Sequence, residues 1–288
     1  PEQGWIATAN QAIIASNNPN PLTADWDLPT RYDRIVQLIK AKSTYDLQYM
    51  KTMQSDTLSL GATPLLELFK SSQSKHPLGA KALELIKNFD GNMSIDSPSA
   101  LIFNAWADQL TRNVFSRLSY LFFENYGARN FRYPLIAILQ NPNSPWCDIP
   151  KTPIVETCVD SSNIAFDHAL EYLSGQYGSD PTSWAWGKAH IAISEHRPLS
   201  KVPVLGKLFN ITTPFPGDSF SINVGRLELE NSSNPYETLQ APSLRTIYDL
   251  SDLEKSLFIY QAGQSGWVQS PWYRNMNSLW AKNEYLPL

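Results

Sequence analysis

One segment resembles a hydrolase nucleophile motif, namely Gly263-Gln264-Ser265-Gly266. A nucleophile elbow has the pattern Gly-x-Ser-x-Gly and places its serine on a sharp turn between a strand and a helix. In this sequence the second glycine comes one position too early. We therefore predict that Ser265 is not an attacking group and that the glycines let the backbone turn tightly after a strand. A self-contained serine hydrolase centred on Ser265 remains an alternative, and its signature would be labelling by a fluorophosphonate probe.

The histidines and acidic residues give no metal motif. Zinc hydrolases carry His-Glu-x-x-His, whereas the only two neighbouring histidines here, His190 and His196, are too far apart and lack that pattern. We interpret both as structural hydrogen-bonding residues. Asp25 and Asp27 offer oxygen ligands, but calcium needs six or more. We predict no metal site in this chain, and a calcium site only where a longer protein adds ligands.

Two cysteines, Cys147 and Cys158, bracket a proline-rich loop. In an oxidising compartment this spacing would suit a local disulfide, and in a reducing cytoplasm the same residues would be two thiols. A zinc site is disfavoured, because no histidine or second cysteine pair lies nearby in sequence.

The composition excludes several classes of function. The chain of 288 residues has a net charge of -4, and its 23 basic residues are scattered, so we predict no binding to nucleic acid. It lacks the apolar run of roughly 18 to 20 residues that a membrane span needs, and its first residues lack the pattern of a secretory signal. We interpret most of the nine tryptophans and twelve phenylalanines as core residues.

The periodicity of apolar residues changes twice along the chain. An apolar segment at Trp5–Ala9 predicts a buried strand, and helical spacing then begins near Arg31. Ser97-Pro98 predicts the start of a long helix that continues past Phe122, and Ser161 or Ser162 predicts the cap of another. Further elements are a helix at Tyr45–Gln54 and strands at Phe220–Val224, Leu244–Tyr248 and Leu257–Gln261.

We therefore predict an α+β fold in a single unit. It has a first strand within residues 1–16, a large helical insertion at about 30–195 and a strand-rich part at about 196–288. If the first and last strands share one sheet, the helical middle is an excursion from that sheet rather than an independent domain.

Several segments in this order resemble the penicillin acylase family of amide hydrolases, specifically the C-terminal part of its large (beta) subunit. They are Gly4-Trp5-Ile6-Ala7-Thr8-Ala9-Asn10-Gln11, Arg31, His196-Arg197-Pro198-Leu199, Gly217-Asp218-Ser219-Phe220-Ser221-Ile222-Asn223, and Gly263-Gln264-Ser265-Gly266 followed by Ser270-Pro271-Trp272-Tyr273. The resemblance spans nearly the whole chain. It implies part of an N-terminal-nucleophile hydrolase, whose layers follow the order αββα.

The resemblance gives two residues a role. Asn10 matches the family's asparagine, whose side-chain N–H donates to the oxyanion formed when an amide carbonyl is attacked. Arg31 matches the arginine that orients this asparagine, with Arg34 as its rival one helical turn later. Without the resemblance, Asn10 would be a turn residue and Arg31 an ordinary arginine at a helix start.

In the family the nucleophile is a serine at a free amino terminus, whose own amine serves as the base. This sequence opens with Pro1, which carries no hydroxyl, so the resemblance implies that the nucleophile lies on the preceding part of the same precursor, comprising the alpha subunit and the start of the beta subunit. We expect the isolated chain to be inactive. The implied substrates are N-acyl amides such as penicillins, cephalosporin side chains or N-acyl homoserine lactones.

The resemblance also implies an exported bacterial protein, periplasmic or secreted, and together with the spacing of the cysteines it favours a Cys147–Cys158 disulfide. A hypothesis from another class is a non-catalytic binding or scaffold module, whose aromatic surface recruits a partner or an apolar ligand.

Overall fold

The computed structural model describes residues 2–23, 25–119, 131–227 and 234–288. Ten α-helices, five single-turn 3₁₀ helices and seven short strands lie within these ranges. The helices are α1 (Thr30–Lys40), α2 (Leu47–Gln54), α3 (Leu66–Lys70), α4 (Gly79–Ile86), α5 (Pro98–Val114), α6 (which includes residues 131–139), α7 (Cys158–Tyr177), α8 (Trp186–Ala189), α9 (Pro203–Phe209) and α10 (Asn277–Ala281). The strands are β1 (Ile191–Ser194), β2 (Ile211–Pro214), β3 (Arg226–Leu227), β4 (Thr238–Gln240), β5 (Leu244–Ile247), β6 (Leu257–Tyr260) and β7 (Leu286–Pro287).

The N-terminal segment is irregular, so the strand predicted within residues 1–16 is wrong. In the described part of this segment, the only β-type pairing is an isolated bridge between Gln11 and Asp27. Ile6 is 93% exposed, although it was expected to be buried. A strand needs a neighbouring strand to complete its hydrogen bonds, and no described residue supplies one for residues 5–9.

The helical core forms around α5 and α7, which pack side by side. The predicted start of α5 is confirmed, because the Ser97 hydroxyl accepts a hydrogen bond from the Ala100 N–H and Pro98 occupies the first turn. The helix is shorter than predicted and ends at Val114. The Ser116 hydroxyl donates to the Asn113 carbonyl at 2.6 Å, and such local bonds compete with helix continuation. The rest of the predicted extension, including Phe122, lies outside the described residues.

Helix α7 begins earlier than predicted. Thr157 and Asp160 form a reciprocal capping box, which starts the helix at Cys158. The predicted caps Ser161 and Ser162 are instead fully buried, and the Ser162 hydroxyl accepts a hydrogen bond from the Trp106 indole N–H at 3.1 Å. Aromatic packing fills the space between the helices, with Phe69 in contact with Phe89, Phe103, Trp106 and Phe166.

The strands form two small sheets. One has the order β2-β1-β4-β3, in which β1 pairs antiparallel with β2 and parallel with β4. The other has the order β5-β6-β7 and is antiparallel. The strands predicted at Leu244–Tyr248 and Leu257–Gln261 are confirmed as β5 and β6. With helices and sheets in one chain, the predicted α+β class is confirmed, while the assignment of residues 1–288 as one subunit fragment stays a prediction.

The strand predicted at Phe220–Val224 is wrong, because this segment is a series of turns. Its conformation is fixed by Asp218, whose carboxylate accepts a hydrogen bond from the Phe220 N–H at 2.8 Å. The Asp218 N–H in turn donates to the Ser221 hydroxyl at 2.8 Å. Side chains that bond the backbone two or three residues away favour turns over strands.

Candidate active site

Asn10 lies at a tight bend that two neighbouring contacts hold in place. Its backbone φ is 67°, in the left-handed region that asparagine tolerates better than most residues. Before the bend, the Ala9 N–H donates to the Gln11 side-chain oxygen at 2.7 Å. After it, the Asn10 carbonyl accepts a hydrogen bond from the Asp27 N–H at 3.1 Å. A contact within the N-terminal segment and a contact from the loop before α1 thus hold the main chain around Asn10.

Arg31, in the first turn of α1, reaches back to this bend. Its Nη2 lies 2.8 Å from the Asn10 Oδ1 and 2.9 Å from the Ala9 carbonyl oxygen. The same nitrogen lies 2.9 Å from the Asp27 Oδ2. A guanidinium has donors only, so the Asn10 amide must present its oxygen to Arg31 and its NH₂ group to the opposite side.

Arg34, the rival of Arg31, is engaged elsewhere. Its Nε and Nη2 bind the two carboxylate oxygens of Asp56 at 3.0 Å and 2.7 Å. This two-point pair raises the pKa of Arg34, chiefly through the hydrogen bond to Asp56. The structure therefore brings Arg31, and not Arg34, to Asn10. The catalytic roles of Asn10 and Arg31 stay predictions.

Arg31 is part of the lining of two cavities. The smaller, of about 200 Å³, is lined by Thr8, Ala9, Asn10, Arg31, Ile35 and Ile222. The larger, of about 480 Å³, is mostly apolar, and its lining includes Trp26, Leu28, Phe115, Phe131 and Phe220 together with Asp27 and Arg31. Asn10 itself is exposed and faces the smaller cavity. The amide NH₂ is therefore free to donate to a carbonyl oxygen that enters this opening.

The structure supports the prediction that Ser265 is a turn residue. Its hydroxyl accepts a hydrogen bond from the Trp267 N–H at 3.1 Å. The preceding strand β6 ends at Tyr260 and the next helix α10 begins at Asn277, so Ser265 does not lie in the strand–turn–helix of a nucleophile elbow. At Gly263 a Cβ atom would collide with the Trp272 carbonyl, which explains why a residue without a side chain occupies this turn.

The two histidines interpreted as structural are both packed within the fold. His190 is fully buried, stacks on Trp186 with 4.5 Å between ring centroids, and donates from Nδ1 to the Tyr236 carbonyl at 2.7 Å. Burial lowers the pKa of His190 to about 4, so the ring is neutral near pH 7. His196 packs edge-on against Phe209, and its backbone N–H donates to the Asn210 side-chain oxygen.

Of the acidic pair Asp25 and Asp27, the Asp27 carboxylate is held by the cationic Arg31 at 2.9 Å. A calcium site completed by ligands from a longer protein stays a prediction. In the four described ranges, no three His, Cys, Asp or Glu side chains come together in an arrangement that could hold a metal ion. Nor does any helix there combine the length and hydropathy needed to cross a bilayer.

The disulfide between Cys147 and Cys158 is present, with 4.8 Å between the two Cα atoms. It ties the proline-rich loop to the first residue of α7. Both half-cystines are buried.

Sequence reasoning missed two contributors to the site. Asp27 was considered only as a metal ligand, and Gln11 only as part of a resemblance. The spacing of Asp27 and Arg31 was an available signal, because an acid four residues before an arginine at a helix start often pairs with it.

Comparison with known proteins identifies relatives over the whole length of this chain. Acyl-homoserine lactone acylase QuiP of Pseudomonas aeruginosa is 26% identical over 321 residues, which cover 99% of this chain and 37% of that protein. Penicillin acylase 2 proenzyme of Pseudomonas sp. strain SE83 is 24% identical, with 100% of this chain and 37% of that protein covered. The chain thus spans little more than a third of the length of these relatives.

A solved structure shares the fold. Thermostable penicillin G acylase from Alcaligenes faecalis superposes with a TM-score of 0.57 at 16% identity, covering 100% of this chain and 54% of that one. This likeness confirms the expected N-terminal-nucleophile hydrolase fold class. The penicillin amidase family model matches residues 1–288, and the chain therefore belongs to the penicillin amidase family.

Proposed function

We propose that this chain supplies the oxyanion-stabilising part of an amide hydrolase. The observation that carries the proposal is the contact of 2.8 Å between Arg31 and the Asn10 Oδ1, in a residue that lines an open cavity. Because Arg31 binds the oxygen of the amide, the NH₂ group points away from Arg31. A neutral donor of fixed direction suits an oxyanion hole, because it stabilises developing negative charge without having to reorient during the reaction.

The reaction follows from the chemistry of the family. A serine hydroxyl on another part of the longer protein attacks the carbonyl carbon of an N-acyl amide, and the carbonyl oxygen becomes an oxyanion bound by Asn10. Collapse of this intermediate expels the amine and leaves an acyl ester, which water hydrolyses through a second oxyanion at the same place. The terminal amine of the serine accepts the hydroxyl proton during the attack and passes it to the departing amine nitrogen, so we assign the reaction no cofactor.

We further propose that the substrate is an N-acyl amide of the kind named for the relatives, an N-acyl homoserine lactone or a penicillin. The partner of this chain is then the preceding part of the same precursor. The Cys147–Cys158 disulfide supports a periplasmic or secreted location, because disulfides persist in oxidising compartments.

The test uses the longer polypeptide that includes this chain, with an N-acyl homoserine lactone and penicillin G as substrates. Asn10→Gly removes the amide, and glycine tolerates the left-handed backbone at this position. We expect kcat to fall about 100-fold to 1,000-fold, the usual cost of losing one oxyanion donor, with little change in KM.

Asn17→Gly, at an exposed loop position in the same segment, is the matched control. The isolated chain should release no amine. Wild-type kcat in Asn10→Gly would overturn the proposal, and binding of an apolar ligand by the longer polypeptide without any turnover would favour a non-catalytic module.

A further inference from the structure

Asp27 contacts the candidate active site through both its backbone and its side chain. Its backbone N–H donates to the Asn10 carbonyl at 3.1 Å, next to the bridge that pairs Asp27 with Gln11. Its carboxylate oxygen Oδ2 accepts from the Arg31 Nη2 at 2.9 Å. One residue thus fixes the main chain of Asn10 and also binds the cation that orients the Asn10 side chain.

The contact between Arg31 and Asn10 needs such support. The Arg31 Nη2 is shared among three oxygens, of which two are neutral and only the Asp27 carboxylate is charged. All three bonds have a charged donor, but only the Asp27 carboxylate adds the attraction between opposite charges, so Asp27 dominates the position of the guanidinium.

Partial burial strengthens this ion pair. The Arg31 and Asp27 side chains are 16% and 19% exposed, so solvent screens their attraction less than that of a fully exposed pair. Arg31 also borders the larger apolar cavity, which leaves room for its side chain to turn away from Asn10 once the carboxylate charge is removed.

We propose that Asp27 is a positioning residue for amide hydrolysis, holding Arg31 against the Asn10 Oδ1 so that the Asn10 NH₂ group stays directed at the oxyanion; this inference rests on the function proposed above. Asp27 contacts Arg31 and the main chain of Asn10. It acts through Arg31 and Asn10, so its contribution to catalysis depends on the Asn10 amide.

A double-mutant cycle in the longer polypeptide tests this dependence. Asp27→Asn keeps the shape of the side chain and the backbone N–H but removes the charge. We expect kcat to fall about tenfold with KM nearly unchanged, since small displacements of a catalytic group lower the rate more than they weaken binding. In the Asn10→Gly background the same change should lower kcat less than about twofold, because the group being positioned is gone.

Two further variants complete the design. Asp27→Glu restores the charge and should recover most of the lost kcat. Asp33→Asn removes an exposed acid from the same helix start and is the matched control. Thermal unfolding of each variant establishes that it is folded.

The outcomes separate this inference from the proposed function. If Asn10→Gly keeps wild-type kcat, the proposed function fails, whatever Asp27→Asn does. If Asn10→Gly loses activity while Asp27→Asn has no effect, or lowers kcat equally in both backgrounds, Asp27 is not a positioning residue although the proposed function stands.

Discussion

At the scale of single residues, the candidate site depends on a chemical asymmetry between an amide and a guanidinium. The amide has a donor end and an acceptor end, and Arg31 can satisfy only the acceptor. The contact of 2.8 Å to the Asn10 Oδ1 therefore decides which group faces the cavity. A lysine carries the same charge, but its ammonium is a strongly hydrated point charge on a flexible stem, whereas the rigid planar guanidinium fixes the direction of its donors.

Arg31→Lys should accordingly lower kcat of the longer polypeptide about tenfold or more, because the amide of Asn10 loses its fixed orientation. Arg34→Lys is the matched control, since Arg34 binds Asp56 and makes its contacts away from Asn10. Steady-state kinetics with an N-acyl homoserine lactone compares the two variants. Equal effects of both substitutions on kcat would contradict the assignment of Arg31.

At the scale of elements, the sequence predicts best where the signal is local. Ser97-Pro98 starts α5 as expected, and the two segments predicted as strands form β5 and β6, which pair antiparallel. The errors arise where a side chain overrides the pattern. The hydrogen bond of the Asp218 carboxylate to the Phe220 N–H holds the Phe220–Val224 segment in turns rather than a strand. The Thr157–Asp160 capping box starts α7 before the predicted caps Ser161 and Ser162.

The contribution of the Cys147–Cys158 disulfide to the free energy of unfolding can be measured. The disulfide joins cysteines that are 11 residues apart, and closing a loop of this size in the unfolded chain is worth about 3 kcal/mol in the chain-entropy model. A reductant should lower the free energy of unfolding by about that amount, as measured by urea denaturation.

A variant with Cys147→Ser and Cys158→Ser is the control for this measurement. It should unfold with the lower free energy whether or not reductant is present. Wild-type protein that keeps its full free energy of unfolding after complete reduction would show that the disulfide does not stabilise the native fold.

At the scale of the whole molecule, contacts between distant parts of the chain are the features that local sequence patterns do not predict. The partnership of Asn10 and Arg31 was predicted from a resemblance, because nothing in local spacing brings residue 10 to α1. The predicted strand near Trp5 failed for the same reason, since a strand depends on a neighbour that the local pattern does not specify. The contact between the Asp27 N–H and the Asn10 carbonyl was missed for this reason too, because it forms only when the loop before α1 folds back onto the N-terminal segment.

His190 shows how the helical and strand-rich parts are joined. It follows α8, its ring stacks on Trp186 of that helix, and its Nδ1 binds the carbonyl of Tyr236 just before β4. The Thr238 hydroxyl of β4 lies 3.2 Å from Nε2, which accepts a hydrogen bond when the ring is neutral. Protonation of this buried ring would place a positive charge at the junction between the helical part and the strand-rich part.

Because His190 is buried at this junction, we expect the free energy of unfolding to depend on pH. Burial lowers the pKa of His190 to about 4 in the folded state, whereas an unfolded histidine has a pKa of about 6.5. Between these values the unfolded chain binds a proton that the folded chain does not, so stability is lost as the pH falls from about 6.5 to about 4. The loss due to His190 reaches roughly 3 kcal/mol.

The buried carboxyls of Asp108 and Asp218 act in the opposite direction, because burial raises their pKa values and acid then favours the folded state. The His190 contribution is therefore isolated by comparing wild type with His190→Gln in urea denaturation across this pH range. His168→Gln, at an exposed position, controls for the loss of an imidazole. Wild type should lose more stability on acidification than His190→Gln; parallel pH profiles would show that the ring already carries its proton in the folded state.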